Sequence, residues 1–182
     1  ETPPAIFWEK DGRFYDPFRP AIEPDGFASA DEMYASRRAT IAGFREAIMT
    51  ANIFVFTLGL TESWWDAEGG FEYPMCPGTI AGEFDADKHK FLNQDYDFVR
   101  SNLRETIKMI RAARAKGPRF LLTVSPVPLT ATNSGNHVLV ATVESKSVLR
   151  AVAASIERDF KGVSYFPSYE IIASPPFRGT FF

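Results

Sequence analysis

Three hydroxyls, a carboxylate, an indole and an imidazole follow the short apolar runs of this chain, and such groups can bind a polar ligand or move a proton. The run Phe54-Val55-Phe56-Thr57-Leu58 halts at Gly59 and releases Thr61, Glu62 and Trp64. A second run, Arg119-Phe120-Leu121-Leu122-Thr123-Val124, gives way to Ser125-Pro126-Val127-Pro128, and Val163-Ser164-Tyr165-Phe166 stops at Pro167 with Ser168 beyond it. Ligands of open α/β sheets bind in the crevice outside the carboxyl ends of the strands, so these positions are site candidates. Ser125 and Trp64 are expected to line the pocket, and Tyr165 with Ser168 to support the mouth of the third strand. The plainer alternative is that Thr61 and Glu62 only satisfy backbone groups where strand becomes loop. His137 also follows a strand end and can face the crevice as a base or a substrate ligand. Its alternative is a turn, since Ser134-Gly135-Asn136-His137 is rich in turn formers.

Other reactive side chains have less support around them. Cys76 is the only cysteine, which leaves no internal disulfide and no thiolate metal site. With no helix start or adjacent histidine to activate it, it reads as a buried structural thiol. Ser145-Lys146 lacks the Ser-x-x-Lys spacing that sets a lysine one helical turn from a serine, so it reads as a helix start or an anion binder. His89, between Lys88 and Lys90, reads as solvated. Trp64, Trp65, Phe71 and Tyr73 flank Asp66-Ala67-Glu68-Gly69-Gly70, a hairpin with a glycine-rich turn whose aromatics either stack on a sugar ring or cover a sheet edge. No group of His, Asp and Glu has metal-ligand spacing and no glycine-rich phosphate loop is present, so neither metal nor cofactor is expected.

The elements that must position these groups alternate. Ser29 and Glu32 form a capping box for a helix through Tyr34, Ile41, Phe44 and Ile48. A second helix is predicted over residues 96–115, with Phe98, Leu103, Ile107, Met109 and Ile110 inward, ended by Gly117-Pro118. A third runs over 143–160, with Val148, Leu149, Val152 and Ile156 inward. Helix, strand, helix, strand, helix, strand implies crossover connections and a parallel sheet covered by helices on both faces. Residues 1–28 read as an extended arm laid over the remaining domain, 29–182, one domain overall.

Composition limits the partners. The 182 residues are 45% hydrophobic and 14% aromatic, enough for a substantial core. A net charge of −3 with interspersed signs argues against nucleic acid, and no apolar run approaches a membrane span. With no amino-terminal signal pattern, the expected setting is cytoplasmic. The chain opens on Glu1 and closes on Pro175-Pro176-Phe177-Arg178-Gly179-Thr180-Phe181-Phe182, and that bare aromatic end reads as a fragment of a longer polypeptide. The oligomeric state is not legible.

A family resemblance rests on five blocks in order: Thr57-Leu58-Gly59-Leu60-Thr61-Glu62 with Trp64, Tyr73-Pro74-Met75-Cys76-Pro77-Gly78-Thr79, Leu122-Thr123-Val124-Ser125-Pro126-Val127-Pro128-Leu129-Thr130-Ala131-Thr132, Ser145-Lys146-Ser147-Val148-Leu149-Arg150, and Tyr165-Phe166-Pro167-Ser168-Tyr169-Glu170-Ile171. Together they resemble the bacterial GSCFA-domain family. The resemblance implies a relative of the SGNH (GDSL-type) esterases and acetyltransferases, with a three-layer α/β/α, flavodoxin-like parallel sheet. It further implies serine nucleophilic acyl transfer on a small-molecule or glycan acyl ester, such as a surface polysaccharide. Thr61 then falls where the superfamily's oxyanion-binding asparagine sits, with Glu62 beside it, and a threonine hydroxyl can donate one hydrogen bond there. The Gly-Ser-Cys-Phe-Ala motif that would supply the nucleophile is absent from these residues, and the late catalytic histidine is expected beyond Gly179. The resemblance therefore implies an enzyme in the full-length parent and an inactive 182-residue piece, with a noncatalytic binding or scaffolding domain as the alternative.

Overall fold

A computed structural model describes residues 4–173. The aromatic carboxyl end and the region of the expected late histidine lie outside the described residues. The chain divides into two compact units, residues 1–46 with 63–92 and residues 47–62 with 93–182.

In the first unit the amino-terminal segment is folded rather than simply extended. Strands β1 (Trp8–Lys10) and β2 (Arg13–Tyr15) pair antiparallel. Asp11 and Gly12 join them, both at positive φ (52° and 71°), as a tight hairpin turn of two residues requires. Helix α1 (Ala30–Thr50) starts as expected, with Glu32 N–H donating to Ser29 Oγ (3.2 Å) and the Glu32 carboxylate reaching back to Ala28 N–H (2.9 Å). Its buried face differs from the expected one. Met33 and Arg37 are buried, whereas Ile41 and Phe44 are 43% and 56% exposed. An inward arginine is invisible to an apolar pattern, and here it is held by a carboxylate: Arg37 donates to both Asp16 oxygens (2.8 and 3.1 Å) and to the Pro4 and Ile6 carbonyls, between the rings of Phe18 and Tyr34. Strands β4 (Glu62–Asp66) and β5 (Phe71–Tyr73) form the expected hairpin, and β6 (His89–Asn93) completes a sheet of order β5-β4-β6, whose end residues Glu62 and Asn93 already count with the second unit.

The second unit is built on β3 (Ile53–Leu58), β7 (Arg119–Val124) and β8 (Val163–Phe166), a parallel sheet of order β3-β7-β8 whose strands stop at the expected residues. Helix α2 (Tyr96–Ala112) is capped by Asp95, which accepts from Phe98 N–H at 2.8 Å. Asp95→Ala should lower stability by about 1 kcal/mol, read as a shift in the urea midpoint at constant slope. The helix buries Val99, Leu103, Ile107 and Ile110, while Phe98 and Met109 point out, 47% and 71% exposed, because they fall beside rather than on that 3.6-residue stripe. Helix α3 (Val138–Asp159) begins five residues before the expected start and contributes Leu149, Val152, Ala153 and Ile156 to one core with α2 and with Phe120, Leu122 and Val124. A short α4 (Ser168–Ala173) follows Pro167. Among the described residues β3 is a sheet edge, with Ile53 and Val55 49% and 59% exposed.

Candidate functional site

Gly59 to Glu62 leave the carboxyl end of β3 and are fixed atom by atom. Thr61 is only 1% exposed. Its N–H donates to Ser145 Oγ (3.0 Å), its hydroxyl donates to Asn93 Oδ1 (2.6 Å), and its carbonyl accepts from Gln94 N–H (2.8 Å). Asn93 in turn donates through Nδ2 to Glu144 Oε1 at 3.3 Å from an exposed strand end. Because Thr61 can donate only one proton, its hydroxyl is already committed, and the Asn93 amide is what it aligns. Lys146 Nζ, on a side chain 2% exposed overall, donates to the Gly59 carbonyl at 2.7 Å. Burial pushes this ammonium below the ordinary lysine value.

Ser145 and Lys146 were not expected here, and a signal for them exists. Ser145 precedes Leu149, Val152 and Ile156 at helical spacing, and Lys146 precedes Leu149 and Ala153 likewise. Both therefore sit on the buried stripe of α3. Ser145→Ala would strip a buried N–H of its acceptor, so we expect a loss of about 1–3 kcal/mol in denaturant unfolding, with the parallel sheet retained by circular dichroism.

Glu62 accepts from Thr132 Oγ1 (2.6 Å), and Thr132 shares a hydroxyl contact with Ser134 (2.8 Å). Residues 134–137 form the turn that starts α3, with Gly135 at φ 79°. Exposed His137 is the N-cap, its Nδ1 accepting from Leu139 N–H at 3.2 Å. With Nδ1 accepting there, Nε2 is the ring nitrogen left outside the cap. Ser125 donates its N–H to the Leu58 carbonyl (2.9 Å) and caps Val127 N–H through Oγ (3.3 Å). Ser168 donates to the Val124 carbonyl (2.8 Å) and accepts from Thr123 Oγ1. The Tyr165 hydroxyl donates to Glu170 (2.8 Å), which also takes Arg150 Nε at 2.5 Å, and the Arg150 guanidinium lies 4.0 Å from the Tyr165 ring centre. Burial raises the Tyr165 hydroxyl pKa and the Glu170 bond adds to it. Burial also pushes Glu170 up, but the bonds from Tyr165, its own backbone and Arg150 outweigh it and hold the carboxyl below its ordinary value.

Thr61, Ser125 and Ser168 thus share the carboxyl end of the parallel strands. Trp64 lies in the first unit, paired with Tyr73 and edge-on to Phe84 (5.4 Å) and Phe91 (5.6 Å). His89 corrects the expectation of a solvated histidine: it opens β6 and is 7% exposed, while the next strand residue, Lys90, faces outward. Cys76 is half-buried, and burial raises its thiol pKa. Among the described residues no group of three or more His, Cys, Asp or Glu is placed to hold a metal, and no helix is long and apolar enough to cross a membrane.

No curated protein and no solved structure matches this chain. Residues 4–182 match the model of the GSCFA family, and the chain belongs to that family.

Proposed function

We propose that this GSCFA chain is an SGNH-type, three-layer flavodoxin-like domain for serine nucleophilic acyl transfer, acting on an acyl ester of a small molecule or glycan in a cytoplasmic setting. The observation that carries the reading is the pinning of Thr61, and through it the Asn93 amide, at the carboxyl end of β3. A buried hydroxyl holds the amide by its Oδ1, and of the two Nδ2 hydrogens one bonds Glu144 while the other is left to donate to an oxyanion, as tetrahedral intermediates require. Thr61 is then a positioning residue and Asn93 the oxyanion donor, with Ser125 shaping the adjacent loop. The open edge of β3 fits a sheet that continues with a further strand.

In this reading a serine Oγ attacks the acyl carbonyl, the tetrahedral oxyanion collapses, and the alcohol leaves carrying the proton that the base took from the serine. Water or a sugar hydroxyl then resolves the acyl-enzyme. The serine would come from a Gly-Ser-Cys-Phe-Ala motif outside these residues. The test is hydrolysis of an aryl acetate by the product of the complete reading frame beside the 182-residue chain. Turnover by the former that disappears when the motif serine becomes alanine supports the reading. Absence of turnover and of acylation in both would favour a noncatalytic binding domain.

A further inference from the structure

We propose that the first unit carries a saccharide site of its own, in which a sugar hydroxyl is held between His89 and Asp66. A cavity of about 440 Å³ in this unit is walled by Trp8, Phe71 and Tyr73, has Phe7 at 41% exposure on its rim, and presents Asp66 and His89 from β4 and β6. Its volume falls within the roughly 300–1,000 Å³ of small-molecule sites.

The hydrogen bonds around the two polar groups define what can sit between them. His89 Nδ1 accepts from Asp85 N–H at 3.1 Å, so the ring proton is on Nε2. That N–H faces Asp66 Oδ2 across 4.0 Å, too far for a hydrogen bond. Asp66 Oδ1 is occupied by Glu68 N–H (3.2 Å) and Gly69 N–H (2.7 Å), whereas Oδ2 takes only the Tyr73 hydroxyl (2.9 Å) within hydrogen-bond range, with Lys88 Nζ also at 4.0 Å. A group bridging the gap must therefore accept from His89 and donate to Asp66. An ammonium cannot accept, and a carboxylate cannot donate. A hydroxyl does both.

The walls then choose among hydroxyl compounds. Aromatic walls favour the C–H surface of a pyranose ring over a small open polyol, and the Glu83 and Asp85 carboxylates at the same cavity can accept from neighbouring hydroxyls. A quaternary ammonium, which the carboxylates of Asp66, Glu68, Glu83 and Asp85 would attract, has no atom to accept from His89 or to donate to Asp66, so it leaves the gap between them unbridged. This site lies within one unit and does not rest on the acyl-transfer reading.

The experiment titrates the 182-residue chain with maltotetraose, cellotetraose, chitotetraose, glycerol and tetramethylammonium, by calorimetry and by tryptophan fluorescence, which reports Trp8 in the wall. At least one tetrasaccharide should bind with Kd below about 1 mM. Phe7→Ala and His89→Ala should each weaken it at least tenfold, and His89→Gln, which keeps an N–H, should recover part of the loss. Circular dichroism checks the fold, and if His89→Ala unfolds, the rim variant Phe7→Ala decides alone. No binding of any tetrasaccharide at about 10 mM would mean the gap holds water only. That result overturns the proposal, as would tighter binding of tetramethylammonium or sugar affinity unchanged in Phe7→Ala.

Discussion

Asp16→Ala should destabilise the first unit by about 3–5 kcal/mol, measured by thermal or urea unfolding. The aspartate side chain has no solvent exposure and Arg37 beside it only 7%, so removing the carboxylate leaves a guanidinium buried without its counter-charge. Arg19 also bonds Asp16 (2.8 Å), and Phe18 N–H completes the shell at 3.0 Å. Burial by itself would raise the Asp16 pKa; the bonds from Arg37, Arg19 and Phe18 N–H outweigh it and hold the carboxyl below 3.8. The sign of the pH dependence follows. With the folded pKa depressed, the stabilisation is complete above the unfolded value and is lost as acid titrates through the lower folded value. Asp16→Ala should therefore lose less stability than the parent chain as the pH falls below the ordinary aspartate value. An unaltered melting temperature at neutral pH would show that Arg37 is held by the Pro4 and Ile6 carbonyls alone.

The second large effect is catalytic and belongs to the acyl-transfer reading. Asn93→Ala in the full reading frame should lower kcat on an aryl acetate by about 10²- to 10³-fold, the scale for losing one oxyanion donor. Thr61→Val removes the hydroxyl that aligns Asn93 and should approach that loss, while the double variant should be little worse than Asn93→Ala, because the two act as one unit. Asn93→Ala at the parent rate would remove this residue from the mechanism. Equal and additive losses would instead mean that Thr61 donates to the oxyanion directly.

What could be read from the residues followed from how each signal arises. The strands ending at Leu58, Val124 and Phe166 were legible because apolar, β-branched runs cut off by Gly or Pro have few other solutions. The capping box at Ser29 and Glu32 was legible because it is local chemistry. The inward face of α1 was not legible, nor were the partners of Ser145 and Lys146: helical spacing puts these two on the buried stripe of α3, but what each polar side chain bonds lies far away in sequence. Arg37 finds Asp16, Ser145 finds Thr61, and Lys146 finds the Gly59 carbonyl. Thr61 itself was found by position, but its partner Asn93 lies 32 residues away and carries no motif.

The interleaving of the two units also sets an order of events during synthesis. The described residues of the first unit have all been made once position 92 is reached, and its hairpins pair strands close in sequence. Strand β3 belongs to the second unit and has been made by then, but its described partner β7 is not finished until Val124. Domains form as their residues emerge from the ribosome, at about 5–20 residues per second. For several seconds Ile53 to Leu58 are therefore a nascent apolar strand whose described partner β7 has not been made, tethered to a unit that can already have folded. That interval is when chaperone capture or pairing with a neighbouring nascent chain would compete with the native sheet.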